Sequence, residues 1–335
     1  NRYNMLGDYT APQEDENIKT VLDGVISKLS PSKVEYVRGC AIRDTTVNEI
    51  AEVVEAASRS EVIIAVVGGS SARDFKTSYQ ETGAAIADEK SISDMECGEG
   101  FDRATLTLLG KQQDLLNALK ATGKPLIVVY IEGRPLDKVW ASEYADALLT
   151  ASYPGQEGGY AIADVLFGDY NPAGRLPVSV PRSVGQIPVY YNKKAPCNHD
   201  YVEQAASPLY TFGYGLSYTT FEYSDLQVIR KSPCYFEVSF KVKNTGSYDG
   251  EEVAQLYLRD EYASVVQPLR QLKCFERFFL KRGEEKEIFF TLTEKDLSII
   301  DRNMARVVET GDFRIMIGAS SDDIRLTKDI FVESQ

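Results

Sequence analysis

The chain has 335 residues, a length that is too great for one typical hydrophobic core and suits two domains. Its formal net charge of −13 argues against nucleic acid or an anionic membrane as a partner, because both attract clustered Lys and Arg. No run of about 18 or more uncharged apolar residues occurs, so no transmembrane helix is predicted, and no signal peptide is recognisable.

Helical and strand patterns alternate in the first half of the chain. Apolar residues recur at helical spacing over residues 18–29, 47–58, 106–122 and 158–168. Apolar runs typical of strands buried on both faces of a parallel sheet occupy residues 62–67, 126–131 and 145–151, and residues 33–37 form a shorter strand candidate. This alternation predicts an α/β domain over residues 1–180, with an open, mostly parallel sheet sandwiched by helices.

The second half of the chain differs from the first in composition and in hydrophobic pattern. Residues 181–220 are rich in Pro, Gly and Tyr, and we interpret them as an ordered connection because disordered segments are poor in aromatic residues. Apolar and polar residues then alternate in short strands, which are predicted at residues 235–243, 253–258, 286–292 and 311–318. Short strands separated by turns predict an antiparallel β-sandwich over residues 221–335.

Residues that commonly hold metals are scarce. The single histidine, His199, leaves almost no material for a His-dependent triad or a multi-His metal site. The cysteines are odd in number, far apart and without a C-x-x-C pair, which argues against a disulfide framework or a zinc site and predicts that most are buried thiols. They are Cys40, Cys97, Cys197, Cys234 and Cys274.

The segment Glu96-Cys97-Gly98-Glu99-Gly100-Phe101-Asp102-Arg103 carries three carboxylates and an arginine between a predicted strand and a predicted helix. Two glycines flank Glu99, so the backbone turns freely there and a bulky ligand can approach. A carboxylate displayed in this way suits general acid/base catalysis. The alternative is a solvated acidic loop, in which Asp102 favours the dipole of the helix N-terminus. Spacing by itself leaves both interpretations open.

Two further segments have candidate binding residues. The turn Gly68-Gly69-Ser70-Ser71 suggests a phosphate site, but it is not G-x-G-x-x-G, and no G-x-x-x-x-G-K-[ST] motif occurs, so nucleotide binding ranks third among the functions. In the segment Leu6-Gly7-Asp8-Tyr9-Thr10, Tyr9 is either an exposed stacking platform or a residue packed against the first helix.

Several motifs resemble the C-terminal half of family 3 glycoside hydrolases, the β-glucosidase and β-xylosidase group. They run in the family's order through nearly the whole chain. The most specific are Leu6-Gly7-Asp8-Tyr9, Gly98-Glu99-Gly100-Phe101-Asp102-Arg103, Gly133-Arg134-Pro135-Leu136, Tyr153-Pro154-Gly155-Gln156-Glu157-Gly158-Gly159, Phe167-Gly168-Asp169-Tyr170-Asn171-Pro172 and Phe212-Gly213-Tyr214-Gly215-Leu216-Ser217-Tyr218.

The resemblance implies a division of labour. Family members have a (β/α)8-type barrel that supplies an aspartate nucleophile, then an α/β sandwich that lends a glutamate acid/base, then often a fibronectin type III-like (immunoglobulin-like) domain. Glu99 matches the acid/base, with Glu96 as the alternative because this loop varies in length. Tyr9 matches an aromatic platform beside the leaving-group subsite, and Asp102 and Arg103 are expected to contact substrate. The chemistry requires neither a metal nor an organic cofactor.

The sequence departs from the family pattern in lacking a nucleophile motif, and this limits the activity expected of the chain alone. No segment resembles the Ser-Asp-Trp nucleophile motif, and the single tryptophan, Trp140, lies in a helical context. We therefore expect the barrel to be a missing partner domain, this chain to be inactive alone, and the intact enzyme to hydrolyse terminal β-D-glucosyl residues of glycosides or oligosaccharides with retention. A β-xylosidase and a non-catalytic carbohydrate-binding or structural module are the alternatives. The family implies a periplasmic or secreted protein, and a homodimer stays open.

Overall fold

The computed structural model describes residues 2–11, 13–72, 78–79, 81–82, 85–86, 93–98, 100–195 and 199–333. The chain divides into two compact units. The first comprises Asn1–Tyr170 with Arg182–Gly185, and the second comprises Asn171–Pro181 with Gln186–Gln335. Most of the segment expected to connect two domains is thus part of the second compact unit, and the domain boundaries at residues 180 and 220 stay predictions.

The first unit is an α/β fold, as predicted. Its helices are α1 (Val21–Lys28), α2 (Ile50–Arg59), α3 (Gln112–Ala121), α4 (Val139–Tyr144) and α5 (Gly158–Phe167). Its strands are β1 (Ile63–Gly68), β2 (Ser78–Tyr79), β3 (Ala85–Ile86), β4 (Leu126–Ile131) and β5 (Ala147–Thr150). Short 3-10 helices cover Tyr3–Met5, Asp15–Asn17 and Pro31–Lys33. Strands β1, β4 and β5 form a parallel sheet in that order, and β2 pairs with β3.

The central strand β4 explains why the apolar runs are continuous. Its side chains alternate between two cores, because successive residues of a strand point to opposite faces. Val128 and Tyr130 pack with α3 through Leu116, whereas Val129 and Ile131 belong to a second core. That second core also contains residues of α1 and α5, namely Val21, Val25 and Ile162. Helices thus cover both faces of the sheet, which requires apolar residues at every position of β4.

Several predicted elements have shifted ends, and two differ more strongly from the structure. Residues 34–37 form no strand, since none of the described strands pairs with them, and Pro31–Lys33 before them is a 3-10 helix. The predicted helix over residues 106–122 begins only at Gln112. Its expected first turn is interrupted by Gly110, which has a φ of 60°, and the carbonyl of Leu106 accepts a hydrogen bond from the distant Asp137 backbone amide (2.8 Å).

Helix α5 ends as the sequence predicts, at Gly168 in the left-handed conformation with a φ of 80°. A Cβ atom at this position would have no neighbour within 4 Å, so the cost of adding one comes from the backbone conformation. We expect Gly168→Ala to lower the free energy of unfolding by about 1–2 kcal/mol, measured by chemical denaturation. Gly185→Ala is the control, because its backbone φ is not positive and its nearest contact is an ordinary 3.7 Å. Equal losses in the two variants would contradict this explanation.

The second unit contains an antiparallel β-sandwich, in agreement with the fibronectin type III-like prediction. Its strands are β6 (Phe221–Ser232), β7 (Tyr235–Asn244), β8 (Gly250–Asp260), β9 (Gln271–Leu280), β10 (Glu285–Leu292), β11 (Ile299–Ile300), β12 (Arg306–Val307), β13 (Gly311–Gly318) and β14 (Ile324–Val332), and α6 spans Glu294–Leu297. The two larger sheets have the orders β10-β7-β6 and β14-β13-β8-β9. Alternate residues of β7 are buried in a single core, namely Phe236, Val238, Phe240 and Val242.

Contacts within the second unit hold the Pro/Gly/Tyr-rich segment where the structure describes it. Val180 and Tyr210 form an isolated antiparallel bridge, with a backbone hydrogen bond of 2.8 Å from Leu209 to Val180. Just before this segment, Arg175 donates to Glu252 at 2.6 Å, and both side chains are at least nine-tenths buried. In the part of the chain that is described, no helix has both the length and the hydropathy that crossing a membrane requires.

Candidate active site

Three loops meet at the carboxyl-terminal edge of the parallel sheet. They follow β1, β4 and β5, and backbone hydrogen bonds join each to the next. The amide of Gly69 donates to Ile131 at 2.9 Å, and the amide of Glu132 donates to Ser152 at 3.2 Å. This edge is where open parallel sheets bind their ligands, because side chains from several strand ends converge there.

The segment from Ser93 to Arg103, where it is described, lies against this edge. The amide of Glu96 donates to the Ser70 carbonyl at 2.8 Å. The buried Cys97 Sγ lies 3.3 Å from Tyr153 Oη, which follows β5. Burial raises the pKa of the Cys97 thiol, which favours its neutral form. The loop is therefore anchored to the ends of both β1 and β5.

Glu99, the predicted acid/base, lies outside the described residues. Its two neighbours are exposed glycines, Gly98 and Gly100, with φ values of 116° and 80°. The Phe101 amide donates to the Gly98 carbonyl at 3.2 Å. These positive φ values are costly for residues other than glycine, so the local backbone uses the glycines noted in the sequence. The role of Glu99 stays a prediction.

Glu96, the alternative acid/base, has a different environment. Its side chain is 1% exposed, and Oε2 accepts a hydrogen bond from Arg103 Nη1 at 2.7 Å. Arg103, which we expected to contact substrate, is only 5% exposed in its side chain and also donates to the Thr107 carbonyl. Both groups are thus engaged with the protein, and neither is displayed to solvent.

Asp102 is the loop carboxylate that is well exposed among those described, with 80% of its side chain accessible. Arg134 Nη1 donates to Asp102 Oδ1 at 2.8 Å, and this contact holds the pKa of the Asp102 carboxyl below its ordinary value. Sequence reasoning did not assign Arg134 to the site. The signal was available in Gly133-Arg134-Pro135, which directly follows a buried strand and Glu132.

The N-terminal segment lies at the same edge. The amide of Asp8 donates to Ser71 Oγ at 2.9 Å, and a Cβ atom on Gly98 would lie 3.3 Å from Asp8 Oδ2. Tyr9 is 79% exposed and has a φ of 58°, a conformation that is uncommon outside glycine. Its exposure fits the stacking platform rather than packing against the first helix, and its contact with sugar stays a prediction.

A buried ion pair supports the loop that carries Arg134. Lys138 Nζ lies 2.6 Å and 2.7 Å from the two carboxylate oxygens of Glu132, and Glu132 Oε2 also accepts a hydrogen bond from the Leu136 amide. Burial raises the pKa of Glu132 and lowers that of Lys138, while their mutual attraction opposes both shifts. The pair fixes the start of the loop after β4.

The described residues include four cysteines but no cluster of metal-binding side chains. Within them no group of three or more His, Cys, Asp or Glu side chains could hold a metal ion. Of the four described cysteines, all free thiols, Cys97 and Cys234 are buried and Cys40 and Cys274 are half-buried. Cys197 lies outside the described residues.

Comparison with known families agrees with the motifs at this edge. The glycosyl hydrolase family 3 C-terminal domain matches residues 1–218, and the fibronectin type III-like domain matches residues 252–321. The chain belongs to glycoside hydrolase family 3. It corresponds to the C-terminal part of such enzymes, in agreement with the resemblance found in the sequence.

Relatives in this family include enzymes of two named activities. A beta-xylosidase of Formosa agariphila is 39% identical over 333 residues, which cover 96% of this chain and 43% of that protein. A periplasmic beta-glucosidase of Salmonella typhimurium is 42% identical over 292 residues, which cover 82% and 35%. The structure of a beta-glucosidase from Listeria innocua in complex with isofagomine has a TM-score of 0.84 and 29% identity, covering 99% of this chain and 45% of that one. This family 3 chain spans less than half the length of each.

Proposed function

We propose that this chain supplies the general acid/base of a retaining β-glycosidase, with Glu99 as the proton carrier. The observation that carries the proposal is the pairing of the other two loop carboxylates with arginines. Glu96 is buried against Arg103, and Arg134 lowers the pKa of Asp102, which makes it a poor acid. Glu99 is the remaining carboxylate of residues 96–103, and the glycines beside it are exposed.

The proposed reaction uses two carboxyl groups about 5–5.5 Å apart. The nucleophile is an aspartate from the barrel domain of the whole enzyme, outside this chain. As its oxygen bonds to the anomeric carbon, Glu99 gives its proton to the glycosidic oxygen, and the aglycone leaves as an alcohol. Glu99 then takes a proton from water, whose oxygen displaces the aspartate with overall retention. The exposed Tyr9 and Asp102, together with the half-buried Arg134, are proposed to contact the aglycone.

The proposed substrate is a terminal, non-reducing β-D-glucosyl residue. The beta-glucosidases among the relatives support it, whereas the beta-xylosidase of Formosa agariphila supports the second candidate, a β-xylosidase. The Salmonella relative is named periplasmic, and we extend a periplasmic or secreted location to this protein.

We expect the whole enzyme to cleave aryl β-glucosides at least about tenfold more efficiently than aryl β-xylosides, since a pocket that fits the extra hydroxymethyl group gains binding from it. Values of kcat/KM measure the preference, and NMR of the first-formed sugar anomer measures retention. A reversed preference would support the xylosidase, and inversion would exclude the proposed mechanism.

The chain alone serves as the control, because it is expected to hydrolyse neither substrate without the nucleophile. Rapid hydrolysis by the chain alone would contradict the division of labour. Calorimetry of the chain with glucose, xylose and cello-oligosaccharides tests the non-catalytic alternative, which requires binding at physiological sugar concentrations.

A further inference from the structure

The two ends of the acid/base loop are joined by a buried side-chain contact. Glu96 and Arg103 are seven residues apart and bracket the segment that contains Glu99. Their side chains remain 1% and 5% exposed, although Gly98, Gly100 and Asp102 between them are exposed. Burying a charged pair at the base of a surface loop costs both groups their hydration, so close contact between the charges is needed to offset it.

Both members of the pair are also tied to the scaffold. The amide of Glu96 donates to Ser70, in the loop after β1, at 2.8 Å. The guanidinium of Arg103 reaches Glu96 Oε2 at 2.7 Å and the Thr107 carbonyl. Because a guanidinium is planar and presents its donors in a fixed fork, these partners determine its orientation as well as its position.

Gly69, which follows β1, also constrains the position of the Glu96 carboxylate. A Cβ atom on Gly69 would lie 2.1 Å from Glu96 Oε1, although the backbone of Gly69 has no positive φ. Any side chain at this position would therefore displace the Glu96 carboxylate. The end of β1 and the loop are matched to each other through this contact.

We infer that the Glu96–Arg103 pair is a positioning clamp, which holds the loop so that Glu99 meets the glycosidic oxygen. The inference rests on the proposed function. The clamp residues carry no proton in the reaction and touch no substrate. Displacement of a catalytic group by about 1 Å can reduce a rate by about 100-fold, so a loop with free ends would be a poor acid/base carrier.

The test compares two substrates in the whole enzyme. Phenyl β-glucoside has a poor leaving group and requires a proton donor, whereas 2,4-dinitrophenyl β-glucoside departs without one. We expect Arg103→Ala to lower kcat/KM by about 100-fold for the phenyl glucoside and by less than about fivefold for the dinitrophenyl glucoside. Arg103→Lys keeps the charge but loses the forked set of donors. Its kcat/KM for phenyl β-glucoside should lie between those of Arg103→Ala and the wild type.

Gly69→Ala provides a variant that removes no charge. The added methyl group displaces the Glu96 carboxylate. We expect kcat/KM for phenyl β-glucoside to fall about tenfold, with a much smaller change for the dinitrophenyl glucoside. The matched control is Arg175→Ala, which breaks a buried Arg–Glu pair of the second unit. Thermal unfolding of each variant measures folding. Any loss in the control should be equal for both substrates, because it reflects the folded fraction alone.

The outcomes separate the clamp from the proposed function. In one outcome, Glu99→Ala shows the selective loss, whereas the Arg103 and Gly69 variants lower kcat/KM equally for both substrates or not at all. The clamp is then wrong and the acid/base assignment stands. If Glu99→Ala shows no selective loss, the proposed function fails. If Arg103→Ala does not fold, the same comparison of substrates with Arg103→Lys and Gly69→Ala tests the clamp. Azide rescue of Glu96→Ala without rescue of Glu99→Ala would make Glu96 the proton carrier and overturn the clamp.

Discussion

Glu99→Ala in the whole enzyme is expected to lower kcat/KM for phenyl β-glucoside by about 10²–10⁴-fold, the range that general acid catalysis contributes. For 2,4-dinitrophenyl β-glucoside the first step should be nearly unchanged, because its leaving group needs no proton. The second step should still be slow, since water loses its base. Added azide needs no base and should restore turnover, giving the β-glucosyl azide, which NMR identifies.

Two further variants make this expectation specific. Glu99→Gln keeps the size of the side chain but cannot donate the proton, so it should resemble the alanine variant. Glu61→Ala removes an exposed glutamate that precedes β1, at the end of the strand opposite the loop, and should leave both substrates unaffected. Full activity of both Glu99 variants on phenyl β-glucoside would exclude Glu99 as the acid.

Lys138→Ala is expected to lower the free energy of unfolding by about 3–5 kcal/mol at pH 7. The substitution leaves the carboxylate of Glu132 buried and without its partner at 2.6–2.7 Å. Chemical denaturation measures the loss. The double variant Glu132→Leu with Lys138→Met should recover most of it, because neither charge then remains in the core. Lys111→Ala breaks an exposed pair with Asp114 and should cost less than about 1 kcal/mol.

The loss in Lys138→Ala should depend on pH. Burial raises the pKa of Glu132 in the folded protein, and without Lys138 nothing charged opposes this shift. The folded state then holds a proton that the unfolded state has already released. The loss relative to the unsubstituted protein should therefore be smallest below the unfolded-state pKa of about 4.3 and should grow as pH rises to the folded-state value. A loss that is constant across this window would show that Glu132 does not titrate and that the cost is one of packing.

Periodicity predicted most of the architecture. Strand β4 at residues 126–131 and strand β13 at residues 311–318 have the predicted bounds, because β-branched and alternating runs are local signals. The first turn of the predicted helix before Gln112 was wrong for a local reason, the positive φ of Gly110, and for a non-local one. The Leu106 carbonyl bonds to Asp137, far along the chain, and that contact prevails over helical spacing. Strand candidates such as residues 33–37 fail similarly when no partner strand lies beside them.

The same distinction applies to the site. The order of residues was enough to predict the acidic loop, its two glycines and its place after a strand end, since these depend on local sequence and on backbone freedom. The folded structure was needed to show which of the described carboxylates have partners. Arg134 meets Asp102 across 32 positions of the chain, and the edge of the sheet buries Glu96 beside Gly69. Burial and pairing of charges depend on residues that are distant in sequence, because ionisation is set by what surrounds a group in space.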